Sequence, residues 1–266
     1  MARSPARLLW ICLPLAFPAT LAAQFMVRLA PRTDRQFTAY QQAAEAKMDW
    51  QAQLSPAPGE VLIAAAAGTA VSGVEGGMIH DWRAATLVPG ASVAQALAVL
   101  QDYANYKRIY APEVADSKLL SHQGNMYRAY LRLIKKKILT VILDSEYEVE
   151  YRPLGNGRET PNRWAILSRS TRFAEVSNGQ ELPPGTGHGF LWRLNSYWLI
   201  EPREGGVYLE CRSISLSRDI PQVFEWIIKP MVTSVPRESL RGLMHATARA
   251  LADQQAPVSR PEPSAR

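Results

Sequence analysis

Few residues in this chain of 266 have the chemistry to attack, protonate or coordinate a substrate. Its four histidines, His80, His122, His188 and His245, lack the close spacing that sets two imidazoles on one metal ion, and none shares a short motif with Cys211. His80-Asp81 has the makings of a base oriented by a carboxylate, although it falls at a predicted strand start beside Trp82, where a surface histidine is the usual outcome. Asp102-Tyr103 sets a carboxylate next to a phenol. Gly185-Thr186-Gly187-His188-Gly189 precedes a strand instead of opening a helix, so it reads as a loop and not as a dinucleotide fingerprint. No Gly-x-Ser-x-Gly elbow is present. If the chain is an enzyme, it is of cyclase or hydrolase type and uses His80, His188, or Asp102 with Tyr103. No metal and no cofactor are implied.

Asp144, Glu146, Glu148 and Glu150 recur at every second residue, a pattern that would suit a cation site or an acid/base pair. The same alternation puts Leu139, Val141, Leu143, Tyr147, Val149 and Tyr151 on the opposite face of one strand. Buried together, four like charges would cost on the order of several kcal/mol. The carboxylates therefore read as a solvated outer face paired with Arg128, Arg132, Arg169 or Arg172 on neighbouring strands.

The elements that must position these residues follow from periodicity. Residues 25–58 form an amphipathic helix with Phe37, Tyr40, Ala44 and Met48 at helical spacing, then a linker ending in Ser55-Pro56-Ala57-Pro58-Gly59. Small and β-branched residues from Val61 to Val88, punctuated by glycines, predict a two-stranded hairpin. Ser92 is the expected N-cap of a helix through Val93, Leu97 and Leu100, and Tyr103–Tyr110 forms a second short helical piece. After Pro112 the period becomes two, with strands over 114–122, 125–134, 137–151, 163–176, 188–201 and 206–218. Short turns between them imply antiparallel neighbours. A last helix starts at Ile220-Pro221, breaks or kinks at Pro230 and Pro236, and runs through Leu251.

Arg3 and Arg7 ahead of the apolar run Leu8–Phe17, followed by Pro18-Ala19-Thr20-Leu21-Ala22-Ala23, predict a signal peptide over residues 1–24 and an exported, periplasmic or secreted protein. The apolar run falls short of the ~20 residues a membrane span needs. Cleavage removes two arginines and no acid, which lowers the formal charge from +6 to +4. That mild excess is compatible with peripheral contact to an anionic membrane surface, while Lys135-Lys136-Lys137, the longest basic run, is too short to indicate nucleic acid. Cys211 alone remains, so the domain over 59–253 has no internal disulfide and relies on its core. The proline-bearing tail 254–266 is expected to be disordered.

A family resemblance covers Gly77 to Leu251. Its residues are Leu100-Gln101-Asp102-Tyr103-Ala104-Asn105-Tyr106, Tyr110-Ala111-Pro112-Glu113-Val114, the strand pair reaching Glu150, Ser215-Leu216-Ser217-Arg218-Asp219-Ile220-Pro221, and Pro236-Arg237-Glu238-Ser239-Leu240. Together they resemble the START-like or SRPBCC superfamily of polyketide cyclases and coenzyme-Q-binding-protein relatives. Residues 25–75 have no clear counterpart there. The resemblance implies an α+β helix-grip fold, a curved antiparallel sheet around a long C-terminal helix, here with an extra N-terminal helix. It leaves function open, because the superfamily holds lipid carriers, cyclases and hydrolases.

On the expected concave face, 188–200 points Phe190, Trp192, Leu194 and Trp198 inward, and 207–217 points Val207, Leu209, Cys211 and Ser213 inward, which leaves Glu210 and Arg212 on the solvated face. The reading that follows is a carrier or sensor of a lipid or other apolar molecule, lined by Tyr127, Leu131, Trp192, Trp198, Cys211, Met231 and Met244. The Pro230–Pro236 break would let the helix lift to admit ligand. The alternatives are the enzyme above and an envelope interaction protein that docks a partner through residues 25–58.

Overall fold

Strict alternation of side chains drives most of the chain beyond Val114 into long strands. The computed structural model describes residues 26–136, 140–155, 162–219 and 225–255, the last segment with side chains from residue 234 onward. The elements are β1 (Val27–Arg28), α1 (Pro31–Ala46), β2 (Val61–Ala65), β3 (Val71–Val74), β4 (Gly77–Pro89), α2 (Val93–Gln101), a 3-10 turn (Tyr103–Asn105), α3 (Tyr106–Ile109), β5 (Val114–Gln123), β6 (Met126–Lys136), β7 (Thr140–Leu154), β8 (Arg163–Ser177), β9 (Gln180–Glu181), β10 (Thr186–Gly187), β11 (Arg193–Arg203), β12 (Gly206–Arg218) and α4 (Glu225–Gln255). Ten strands make one antiparallel sheet in the order β2-β4-β12-β11-β8-β7-β6-β5, with β3 beside β4 and β9 beside β8. Because β12 pairs along the whole of β4, Ser215 faces His80 and Cys211 faces Ala84.

Helix α4 lies against one face of this sheet, packed with α2 and the tyrosine-rich turn, which is the α+β helix-grip arrangement. Ser92 caps α2 as expected: its Oγ accepts from Gln95 N at 3.3 Å, and its backbone N donates to Gln95 Oε1 at 2.9 Å.

Three expectations need correction. The first strand of the hairpin expected over 61–88 is broken in two: β2 and β3 both run antiparallel to β4, end to end along its edge, with residues 66–70 looping out opposite Asp81 (Ala66 N to Asp81 O at 3.1 Å, Asp81 N to Ala70 O at 2.9 Å) and one reversal at Gly76, φ +72°. Residues 188–192 are not strand; Glu175 grips the backbone N and the ring of His188, Gly189 takes φ +70°, and pairing resumes only at Arg193. Helix α4 is one helix from Glu225 to Gln255, so neither Pro230 nor Pro236 breaks it, each removing one backbone donor from the ladder. It extends to Gln255, inside the segment expected to be tail; the remainder of that tail and the signal peptide lie outside the described residues.

The back of the sheet departs furthest from expectation. Glu210 and Arg212 were expected on a wet outer face, but residues 26–58 cover it. Pro31 starts α1, whose Phe37 and Ala44 pack on Ile79, Leu167, Tyr197 and Leu216. The charges beneath are all paired. Arg212 forks onto Asp81 (2.9 and 2.5 Å), which also accepts from Tyr40 at 2.7 Å. Glu45 of α1 receives Arg169 through two 2.8 Å bonds and Tyr197 at 2.7 Å. Glu210 accepts from Gln53 N at 2.9 Å and Leu54 N at 3.2 Å and pairs with Arg83. Of the β7 carboxylates, Glu148 is exposed, Glu146 meets Arg128, and Asp144 is buried under a fork from Arg132 (2.7 and 2.7 Å). Arg169 is taken by Glu45 instead.

Removing one partner of a buried pair strands the other charge. Arg212→Ala, which orphans an Asp81 side chain only 2% exposed, should cost about 3–5 kcal/mol by urea denaturation. Arg152→Ala, at the half-exposed pair with Glu150, should cost less than about 1 kcal/mol. Equal losses would contradict a sealed back layer.

Candidate functional site

On the α4 side, residues of neighbouring strands line up in rows. One row reads Tyr151, Ile166, Trp198, Cys211 and Ala84 from β7 to β4; the next reads Val149, Ser168, Ser196, Ser213 and Trp82. The first row joins Met244 and Leu251 of α4 and Leu100 of α2 in one buried cluster, and its Tyr151, Ile166 and Trp198 also border the cavity. In the second row the three central strands carry serine, too small to meet a helix that stands off the sheet by a normal side-chain layer. A cavity of about 470 Å³ occupies the space, bounded by this row, by Tyr147 and Leu194, and by Leu240 and Leu243 of α4.

Its lining is mostly hydrocarbon and aromatic ring: Leu131, Leu133, Leu143, Phe190 and Leu191 extend the wall. Four tyrosines add ring faces with bonded hydroxyls, while the hydroxyl of Tyr147 is buried with no hydrogen-bond partner among the described residues. Tyr103 and Tyr151 share a 2.8 Å bond, Tyr106 and Tyr151 donate to the Leu100 carbonyl at 2.6 and 2.5 Å, and Tyr110 meets Thr247 at 3.2 Å. Burial pushes the phenols of Tyr103, Tyr106, Tyr110 and Tyr151 well above their ordinary value, so none is a base at neutral pH. Lys135 and Glu113, joined at 2.6 Å, together with Arg249, bring charge to the lining on the β6 and α4 side, where His245 adds an imidazole ring.

The polar wall lies on β4 and β12. His80, only 1% exposed, points to the cavity with its Nε2 2.9 Å from Ser217 Oγ, and Ser213 and Ser215 line the space beside it. Nδ1 of His80 is buried and has no hydrogen-bond partner among the described residues. Burial alone depresses this imidazole to about 4. The histidine expected at a surface is therefore an interior, neutral one. Its neighbour Asp81 turns to the back face and Arg212, so the two are not a base and its orienting carboxylate.

Of the residues expected to line the cavity, Leu131 and Trp198 do so. Tyr127 shares their face but stacks among Tyr103, Tyr151 and His122, at centroid distances of 5.7, 4.9 and 4.1 Å. Cys211 and Met244 are wholly buried in the packed row, and burial pushes the Cys211 thiol far up, away from nucleophilic reactivity. Trp192 is on the other side of the sheet with Phe37 and Leu216, because the alternation that aimed it inward starts one residue later. Met231 lies within α4, where its side chain is outside the described residues. Asp102 binds Asn105 Nδ2 at 2.9 Å, and His188 is held by Glu175; neither lines the cavity. Sequence reasoning passed over Ser196, Ser215 and Ser217, although serines at every second position of an otherwise apolar strand face were the available signal.

No family model matches the sequence, and none of the curated proteins does. Among solved structures, a STAR-related lipid transfer protein fragment from Xanthomonas axonopodis is 22% identical with a TM-score of 0.42, over 68% of this chain and 99% of that one. The Zhui aromatase/cyclase from Streptomyces sp. R1128 is 12% identical with a TM-score of 0.49, over 68% and 98%. Human STARD10 is 11% identical with a TM-score of 0.45, over 86% and 84%. Each likeness is one of fold only, and the architecture rests on the strand order and register described above.

Because the folded chain holds His80 near 4 while the unfolded chain protonates it near 6.5, the unfolded state takes up the extra proton between those values. Stability present above pH 6.5 is thus lost as pH falls toward 4, by about 3 kcal/mol in all. Denaturation of wild type and His80→Gln at pH 7 and pH 4.5 isolates this loss, since other groups titrate alike in both. Parallel losses in the two proteins would show that His80 is not buried as described.

Proposed function

We propose that this is an exported binding protein or carrier that holds one lipid or other apolar small molecule between the sheet and α4. The observation that carries the reading is the cavity of about 470 Å³, a size typical of small-molecule sites of ~300–1,000 Å³, with hydrocarbon and ring faces for most of its wall. Transfer of apolar surface from water supplies the affinity, about 25 cal/mol per Å² buried. Export rests on the character of residues 1–24, and a peripheral membrane contact would bring the domain to its ligand. No helix among the described residues is long and apolar enough to cross a membrane.

One observation favours an enzyme: His80 and Ser217 meet at 2.9 Å on the cavity wall. A hydrolase would need this imidazole as a base near neutrality, and at about 4 it is a weak one. It would also need a third group to orient the ring, and Asp81 is engaged with Arg212 on the far face. The pair is better suited to binding than to proton abstraction.

Native mass spectrometry with extraction of the protein from its own host should find a bound apolar molecule; an empty protein on repeated preparation would sink the carrier reading. Ser196→Phe offers a second check. In a true hollow the ring fits and unfolding stability stays within about 1 kcal/mol of wild type while the bound mass disappears, whereas in a packed core the added volume costs about 1–3 kcal/mol.

A further inference from the structure

We propose that the molecule held in this cavity carries a neutral hydroxyl group, and that His80 with Ser217, Ser215 and Ser213 is the site that binds it. The inference rests on the carrier reading and specifies its ligand. Ser217 Oγ lies 2.9 Å from His80 Nε2 and donates to the Arg218 carbonyl at 3.4 Å. We assign the ring proton to Nε2, which then donates to Ser217 while the serine proton turns to the Arg218 carbonyl, and Nδ1 is an acceptor. Nδ1 is buried without a partner among the described residues, in a side chain that is 1% exposed. A buried acceptor left unpaired loses its hydration with nothing in return. A ligand hydroxyl supplies the missing donor, and its oxygen can accept from a serine: Ser215 stands directly across the β4–β12 ladder from His80, and Ser213 opposite Trp82 beside it.

The surroundings set the charge of that group. Burial lowers the pKa of the His80 imidazole, which is neutral near pH 7. Of the charged lining residues, Glu113 and Lys135 are tied to each other near β6, and β12, β11, β8 and β7 separate that strand from β4 in the sheet; Arg249 lines the cavity from α4, and Arg237 lies over the Trp82 ring at 5.7 Å from its centroid. A carboxylate or phosphate beside His80 would meet a neutral imidazole and serine hydroxyls in place of an ion pair, which is unfavourable for a buried charge. A ketone or quinone carbonyl offers no proton to Nδ1. An alcohol or phenol on an apolar body satisfies both conditions.

The test uses the full chain loaded with diphenylhexatriene, whose fluorescence reports occupancy of the apolar space. Dodecanol and its isomer methoxyundecane have the same atoms, and only the alcohol can donate. Dodecanol should displace the probe at about tenfold lower concentration than the ether, the scale of one buried hydrogen bond. Dodecanone and dodecanoate should compete no better than the ether. His80→Phe and, independently, Ser217→Ala should bring alcohol and ether to within about twofold, with ether displacement unchanged, the second variant serving if the first fails to fold. Equal displacement by alcohol and ether in wild type, a preference for the ketone or the carboxylate, or a preference that survives both variants overturns the hydroxyl site and leaves the carrier reading standing. Failure of the protein to take up diphenylhexatriene and every displacing compound overturns both.

Discussion

Side-chain volume at one row of the sheet governs this protein. Three adjacent strands place Ser168, Ser196 and Ser213 where the next row places Ile166, Trp198 and Cys211. A helix resting on the larger row cannot also reach the smaller one, because α4 is held off the sheet by the bulk beneath Met244 and Leu251. Hollow space is the consequence, and it costs stability, since the lining gives up the dispersion contacts that packing would provide.

That cost can be borne because the sheet is secured from behind. Residues 26–58 cover β4, β12, β11 and β8 with an apolar layer around Phe37 and a set of buried ion pairs in which carboxylates of the sheet or of α1 meet arginine and tyrosine donors. Two faces of one sheet therefore divide the work, the back giving rigidity and the front leaving room. The tyrosine-rich turn serves the front by keeping its hydroxyls bonded to Leu100, Thr247 and each other, so that the cavity meets ring faces. The corner at His80, Ser213, Ser215 and Ser217 gathers polar groups on a wall that is mostly apolar.

Much of this was legible in the sequence. Alternation from Val114 to Arg218 located the long strands to within a few residues, Ser92 announced its capping box, and the inward set on β7 and β12 was read correctly because both strands are regular. Trp192 was misassigned because parity carries across a strand only if the strand is continuous, and a grip between Glu175 and His188 interrupts it. Glu210 and Arg212 read as wet since alternation tells which face a residue takes and not what lies over it; their cover comes from residues far away in sequence. His80 was taken for a surface residue for the same reason. Its burial depends on α4 and β12, neither of which is local to it.

The central claim is that the space between the serine row and α4 is hollow and apolar. Xenon, which enters dry apolar cavities, tests it most directly in crystals of the protein under pressure. The account predicts anomalous density between Ser196 and Ser213 on one side and Leu240 and Leu243 on the other. Side chains filling that volume, with no xenon bound there, would contradict it.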